Sequence, residues 1–239
     1  MTGHRLVVPA LLAWLALSPW AASASTQQHV HFVTGDGVSI AATLYLPSRP
    51  GPAVVLIHMQ TRSRQDWEAV GPRLADAGLV ALAIDLRGHG ASDPRPTGPS
   101  AKDGGIVADL RAARNYLATR REVTPGKVGL LGASIGANLA VVAAAADPTV
   151  RSIALLSPGL DYQGLRTQAN LNRYGDRPAL LVGSREDAYV MITLRRLSSE
   201  GTGVREQLVL DGAGHGTTML ARQAGLVGVL VDWFKRTLL

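Results

Sequence analysis

Residues 128–140 read VGLLGASIGANLA: a lone serine, Ser134, has a glycine two positions away on either side and apolar runs before and after. A serine hydroxyl is a weak nucleophile, but with a base to take its proton it can attack a carbonyl carbon and carry an acyl group. Gly132 and Gly136 give up packing surface and cost backbone entropy, so their placement asks for a compensating role. Ala133, Ala137 and Ala140 extend the demand for small side chains. With no cysteine in 239 residues, thiolate nucleophiles and Cys-ligated metals are excluded, and stability must come from core burial rather than disulfides.

The elements that must position this serine follow from periodicity. After residue 24, QHVHFVT and VSIAATLYLP alternate around Gly-Asp-Gly, the signature of an antiparallel hairpin. AVVLIHM, LVALAIDL, KVGLLGA, VRSIALLSP, PALLVGS and REQLVLD then read as buried strands. Between and after them lie helical patterns: SRQDWEAVGPRLADAG, GGIVADLRAARNYLATRR, IGANLAVVAAAAD, AYVMITLRRLSS and MLARQAGLVGVLVDWFKRTL. A hairpin followed by repeated strand–helix units predicts an α/β fold of three layers: a mostly parallel central sheet with helices on both faces. No repeat and no long linker divides it, so residues 25–239 are expected to form a single domain. Three loops, RGHGASDPRPTGPSAKDGG, SPGLDYQGLRTQANLNRYGDR and GAGHGTT, follow the carboxyl ends of strands, where open parallel sheets bind ligands.

Residues 1–24 read as a secretory leader: Arg5, the apolar stretch LVVPALLAWLAL, then Ala22-Ser23-Ala24 as a cleavage site. The apolar run is short for a bilayer and contains Pro9. Export to a periplasm or medium is therefore expected, with no stable membrane insertion once the leader is removed. The composition, 46% apolar and 18% charged, is that of a globular chain. The formal charge of +6 is spread along the sequence, and its densest spots, TRREV and LRRLS, have no interleaved aromatics. They read as solvated helix faces, not a nucleic-acid surface.

GASIG, with strand before it and helix after it, resembles the nucleophile elbow of the α/β-hydrolase superfamily. The likeness runs over nearly all of the chain after the leader. It is greatest to small, nearly cap-free serine hydrolases such as dienelactone-hydrolase-like esterases. Dienelactone hydrolases proper use a cysteine nucleophile, so the likeness does not extend to their substrate. The superfamily order of serine, acid and histidine implies a triad of Ser134, Asp187 and His215: Asp187 stands just past the strand in ALLVGSREDAYV, and His215 in the glycine-rich GAGHG after the last strand. Glu186, Asp161 in SPGLDY, Asp211 and Asp85 are rival acids, and position after the strand favours Asp187. In the resemblance the oxyanion hole takes one N–H from Ile135 and a second from the loop after VVLIH. Many relatives carry His-Gly there, whereas this chain has His58-Met59-Gln60, which makes Gln60 the donor by position and Met59 the second choice. Asp85, Gly88, His89 and Gly90 in DLRGHGASD read as a structural turn, His58 as support for the oxyanion loop, and Trp67 as core.

The resemblance thus implies a serine hydrolase that cleaves carboxylic esters of small molecules through an acyl-enzyme, with no metal or organic cofactor. Its alternatives are a serine peptidase, amidase or acyltransferase on the same triad, and a binding protein that keeps the fold without turnover. The segment from Ser157 to Arg177 is too short for a large cap domain, and a shallow, open site is expected.

Overall fold

Alternation in the first two strands survives folding intact. β1 (Thr26–Val33) and β2 (Ser39–Leu46) pair antiparallel from Thr26 opposite Leu46 to Val33 opposite Ser39. Their turn is closed by the Thr34 hydroxyl, which donates to Asp36 at 2.6 Å and accepts from the Val38 N–H at 2.9 Å. β1 is a largely exposed edge, whereas β2 is buried almost throughout. The computed structural model describes residues 25–94, 105–199 and 202–239. The expected leader and most of the loop after Asp85 lie outside the described residues.

The continuous apolar runs make the inner strands, as sequences buried on both faces should. β3 (Gly51–Ile57) is followed by a 3₁₀ turn (Arg64–Trp67), α1 (Gly71–Asp76), β4 (Val80–Ile84), α2 (Gly105–Ala118), β5 (Val123–Ala133), α3 (Ile135–Ala146) and β6 (Val150–Leu156). Then come a two-residue-stranded hairpin, β7 (Asp161–Tyr162) and β8 (Leu165–Arg166), α4 (Thr167–Tyr174), β9 (Ala179–Ser184), α5 (Ala188–Leu197), β10 (Arg205–Leu210), α6 (Thr218–Arg222) and α7 (Leu226–Leu238). The main sheet has eight strands in the order β1-β2-β4-β3-β5-β6-β9-β10. β2 meets β4 antiparallel, and every pairing from β4 through β3 to β10 is parallel.

Period-two alternation sends adjacent strand residues to opposite faces. Val55 and Ile57 join Leu110, Leu139, Leu171 and Leu194 on the side covered by α2 to α5. Val54 and Leu56 join Trp67, Leu74, Leu230, Trp233 and Phe234 on the side covered by α1 and α7. Three layers result, and truncating one of these large side chains to alanine removes about 2–5 kcal/mol. Trp67 is fully buried in the second layer, as a core residue should be.

Three expectations about elements are corrected. The helical pattern in SRQDWEAVGPRLADAG divides into the 3₁₀ turn and α1, because Pro72 lacks an N–H and begins a new helix instead of continuing one. The last helical pattern is interrupted at Gln223–Gly225, giving α6 and α7. The segment between β6 and β9, expected as loop, contains β7, β8 and α4. Its turn is set by Gln163 and Gly164, both at positive φ, and strands of two residues are too short to show a period.

Candidate active site

Ser134 occupies the corner between β5 and α3 with φ 53° and ψ −117°. For a residue with a side chain this conformation costs about 1–3 kcal/mol and persists only when its surroundings fix it. They do so here. The Ser134 N–H donates to the Leu156 carbonyl at 2.8 Å, and the Ser134 carbonyl accepts from Ala137 at 2.9 Å and Asn138 at 3.2 Å. A Cβ on Gly132 would overlap the Gly136 carbonyl, and one on Gly136 would overlap the carbonyl oxygens of Ile57 and His58. The flanking glycines therefore let the helix start directly against the ends of β5 and β3, which is why both positions exclude side chains.

Two further loops converge on the hydroxyl. His215 Nε2 lies 2.9 Å from Ser134 Oγ, and His215 Nδ1 lies 2.6 Å from Asp187 Oδ2. The other Asp187 oxygen accepts from the Val190 N–H at 3.1 Å, so the carboxylate also caps α5. An ionised carboxylate only accepts, which puts the ring proton on Nδ1 and leaves Nε2 free to take the Ser134 proton. The rival acids are engaged elsewhere. Asp161 pairs with Arg166 at 3.2 Å and accepts from Gly164. Asp211 pairs with Arg185 at 2.7 Å. Asp85, fully buried, accepts from the N–H groups of Arg64 and Ala91 and pairs with the Arg64 guanidinium. Glu186 accepts from the N–H groups of Gly212 and Gly214. His89 bonds the Arg87 carbonyl inside the turn that Asp85 anchors.

On the other side of Ser134, Ile135 supplies the first N–H of α3, which helix geometry leaves without an intrahelical partner. The facing loop is held by buried His58. Its Nε2 accepts from the Leu86 N–H at 3.0 Å, so the proton sits on Nδ1 and is donated to the Met59 carbonyl at 2.7 Å. Burial, the dominant influence, pushes the His58 pKa below its ordinary value. Arg62 N–H donates to the same Met59 carbonyl. Fixing that carbonyl fixes the Met59–Gln60 peptide plane, and in a trans peptide the Gln60 N–H must point the opposite way. Met59 needs no glycine conformation. Positive φ falls instead on Thr61, at 61°, whose hydroxyl holds the Gln60 carbonyl at 2.6 Å. The Gln60 side chain accepts from the Tyr162 hydroxyl of the β7–β8 hairpin.

Several of these contributors carry no sequence motif. Buried Asn138 bonds Gly159 N–H and the Leu165 carbonyl, each at 2.9 Å, and so ties the β7–β8 hairpin to the helix of Ser134. A single amide in an otherwise apolar helix, four residues after the serine, was the available signal. Asp66 takes hydrogen bonds from Arg62 and from the Thr217 hydroxyl, joining the Met59–Gln60 loop to the His215 loop. Ser157, at positive φ, accepts from the Gly216 N–H at 2.9 Å.

A family model described as Serine aminopeptidase, S33 matches residues 48–175. The chain belongs to this family. It is an α/β-hydrolase and resembles dienelactone-hydrolase-like esterases. Over 203 residues it is 27% identical to an uncharacterized protein of Mycobacterium tuberculosis, covering 76% of this chain and 70% of that one. Over 138 residues it is 29% identical to the polyketide transferase ATR5 of Stachybotrys chlorohalonatus, covering 57% of this chain and less than half, 46%, of the transferase. The solved structure of a dienelactone hydrolase from Anabaena variabilis superposes with a TM-score of 0.72 at 22% identity, over 90% of this chain and 100% of that one. Among the described residues no helix is long and apolar enough to cross a membrane.

Proposed function

We propose that this hydrolase is an exported serine esterase that cleaves carboxylic esters of small molecules through an acyl-enzyme. The observation that carries the reading is the continuous path from Ser134 Oγ through the His215 ring to Asp187, with heavy-atom separations of 2.9 and 2.6 Å. Ser134 attacks the ester carbonyl while His215 Nε2 takes its proton, and Asp187 orients and stabilises the resulting imidazolium. The N–H groups of Ile135 and Gln60 hold the oxyanion. His215 returns the proton to the departing alcohol, leaving Ser134 acylated, then draws a proton from water as the water attacks the acyl carbon. Breakdown of the second tetrahedral intermediate releases the acid and restores Ser134. Export rests on the leader-like residues 1–24.

The test is labelling by a fluorophosphonate probe together with hydrolysis of p-nitrophenyl esters of increasing chain length. Both activities are expected in the wild type and lost in Ser134→Ala. A folded wild-type chain that neither labels nor turns over would instead support a binding protein of this fold. N-terminal sequencing of chain recovered outside the cytoplasm is expected to begin at Ser25.

Two other outcomes on the same triad have specific support. The family's description as serine aminopeptidases favours amide cleavage, which p-nitroanilides would report. The similarity to a polyketide transferase favours acyl transfer, in which an added alcohol competes with water for the acyl-enzyme. Ester hydrolysis is the primary reading because it makes the smallest demand on the site: its alcohol leaves more readily than an amine, and its second substrate is water.

A further inference from the structure

The His215 loop carries glycines at positive φ on both sides of the histidine: Gly212 at 62°, Gly214 at 80° and Gly216 at 59°. Such residues lose the most conformational freedom on folding, so the loop needs external restraint. On its downstream side, His215 N–H donates to Thr218 Oγ1 at 3.0 Å and Gly216 N–H to Ser157 Oγ. On its upstream side, one carboxylate does most of the holding. Glu186 Oε1 accepts from Gly214 N–H at 2.8 Å and Oε2 from Gly212 N–H at 3.1 Å, while Ser184 Oγ accepts from Ala213 between them.

We propose that Glu186 is a positioning residue whose carboxylate clamps the Gly212 and Gly214 amides and so sets where the His215 ring stands between Ser134 and Asp187. This rests on the triad reading above. Adjacent residues at the end of β9 then divide the work: Asp187 orients the imidazole, and Glu186 anchors the backbone that carries it. Hydrogen bonds from the Ser184 hydroxyl and the Gly214 N–H hold the Glu186 carboxyl down to about 2, so it stays ionised through the neutral range. The side chain is exposed and fills no core space, so its contribution is confined to these contacts.

The test uses the chain from residue 25 onward as recovered after export, with p-nitrophenyl acetate. Glu186→Ala is expected to lower kcat at least tenfold with KM unchanged and little change in Tm, because misplacing a reacting group is costly even at sub-ångström scale. Glu186→Gln keeps one acceptor for the Gly214 N–H and is expected to fall between Ala and wild type. Arg185→Ala, which removes the neighbouring exposed pair with Asp211, serves as a control at wild-type kcat. The low-field proton resonance of His215 Nδ1–H reports ring placement independently of turnover. It is expected to persist in Gln and to broaden or shift in Ala. Wild-type kcat and an unchanged resonance in Glu186→Ala overturn the proposal, as does a loss of kcat explained by an equal loss of folded protein. A wild type that neither labels nor hydrolyses the ester, yet whose resonance responds to Glu186→Ala, overturns the reaction assignment and leaves the clamp standing.

Discussion

The two sides of Ser134 are built differently. On the side of the proposed base, Asp187 and His215 come from short loops after the neighbouring parallel strands β9 and β10, and in the proposed triad each works through its own side chain. On the proposed oxyanion side the groups of interest are backbone N–H donors. The loop that carries Gln60 is fixed locally by His58 and Arg62 on the Met59 carbonyl and anchored to the rest of the fold by residues remote in sequence. His58 bonds Leu86, Tyr162 of the β7–β8 hairpin bonds Gln60, and Asp66 bonds Thr217 from 151 residues away. Side-chain chemistry is specified residue by residue, whereas backbone chemistry is specified by the surrounding fold.

The base side gives the largest test of this contrast. Asp187→Asn is expected to lower kcat about 10⁴-fold, because the amide favours the wrong imidazole tautomer. Asp161→Asn is expected to leave kcat within about twofold, since that carboxylate pairs with exposed Arg166. Steady-state kinetics on a p-nitrophenyl ester decides between them, and the reverse ranking would transfer the acid role to the hairpin. On the oxyanion side, Gln60→Pro deletes one N–H and is expected to lower kcat by about 10²–10³. Met59→Gly is expected to keep kcat near wild type and to lower stability by about 1–3 kcal/mol, because Met59 adopts no conformation reserved for glycine and its side chain packs, partly buried, against the α1 and α7 layer. A large gain in kcat for Met59→Gly would mean that the methionine constrains the hole.

The same contrast marks what could be read before folding. The elbow was legible because Gly132 and Gly136 are demanded by backbone contact with the adjoining elements, a need that only residue type can meet. His215 and Asp187 were marked by their places after buried strands. Glu186 was legible as an acid but not as a clamp, since its partners are amide groups that every residue carries. Met59 stands where many relatives carry glycine, and the structure makes the left-handed turn at Thr61 instead, a placement that no residue type in His58-Met59-Gln60 announces. The β7–β8 hairpin and α4 were missed because the hairpin's strands are two residues long and because Asn138 and Thr167, which pin it, act through tertiary bonds. Periodicity reports which face of an element is buried; it does not report which polar atom meets which.

The smallest expected effect is a pH dependence of stability seated on the oxyanion side. His58 is buried with both ring nitrogens engaged, one accepting from Leu86 and one donating to Met59, and a second proton would break the Leu86 bond. Burial lowers its pKa in the folded chain, helped by the nearby His89 ring and opposed by the Met59 hydrogen bond and by Asp85 and Asp66. In the unfolded chain it titrates near 6.5. As pH falls through that value the unfolded chain takes up a proton that the folded chain refuses, so this contribution to stability, complete above about pH 7, is lost toward the lowered folded-state pKa. Between pH 7.5 and 5.5 the loss is bounded at about 1.4 kcal/mol. Denaturant titrations at the two pH values are expected to show that difference shrink in His58→Gln, even though the variant is less stable at both. An undiminished difference would assign the acid sensitivity to groups other than His58 and its bond from Leu86.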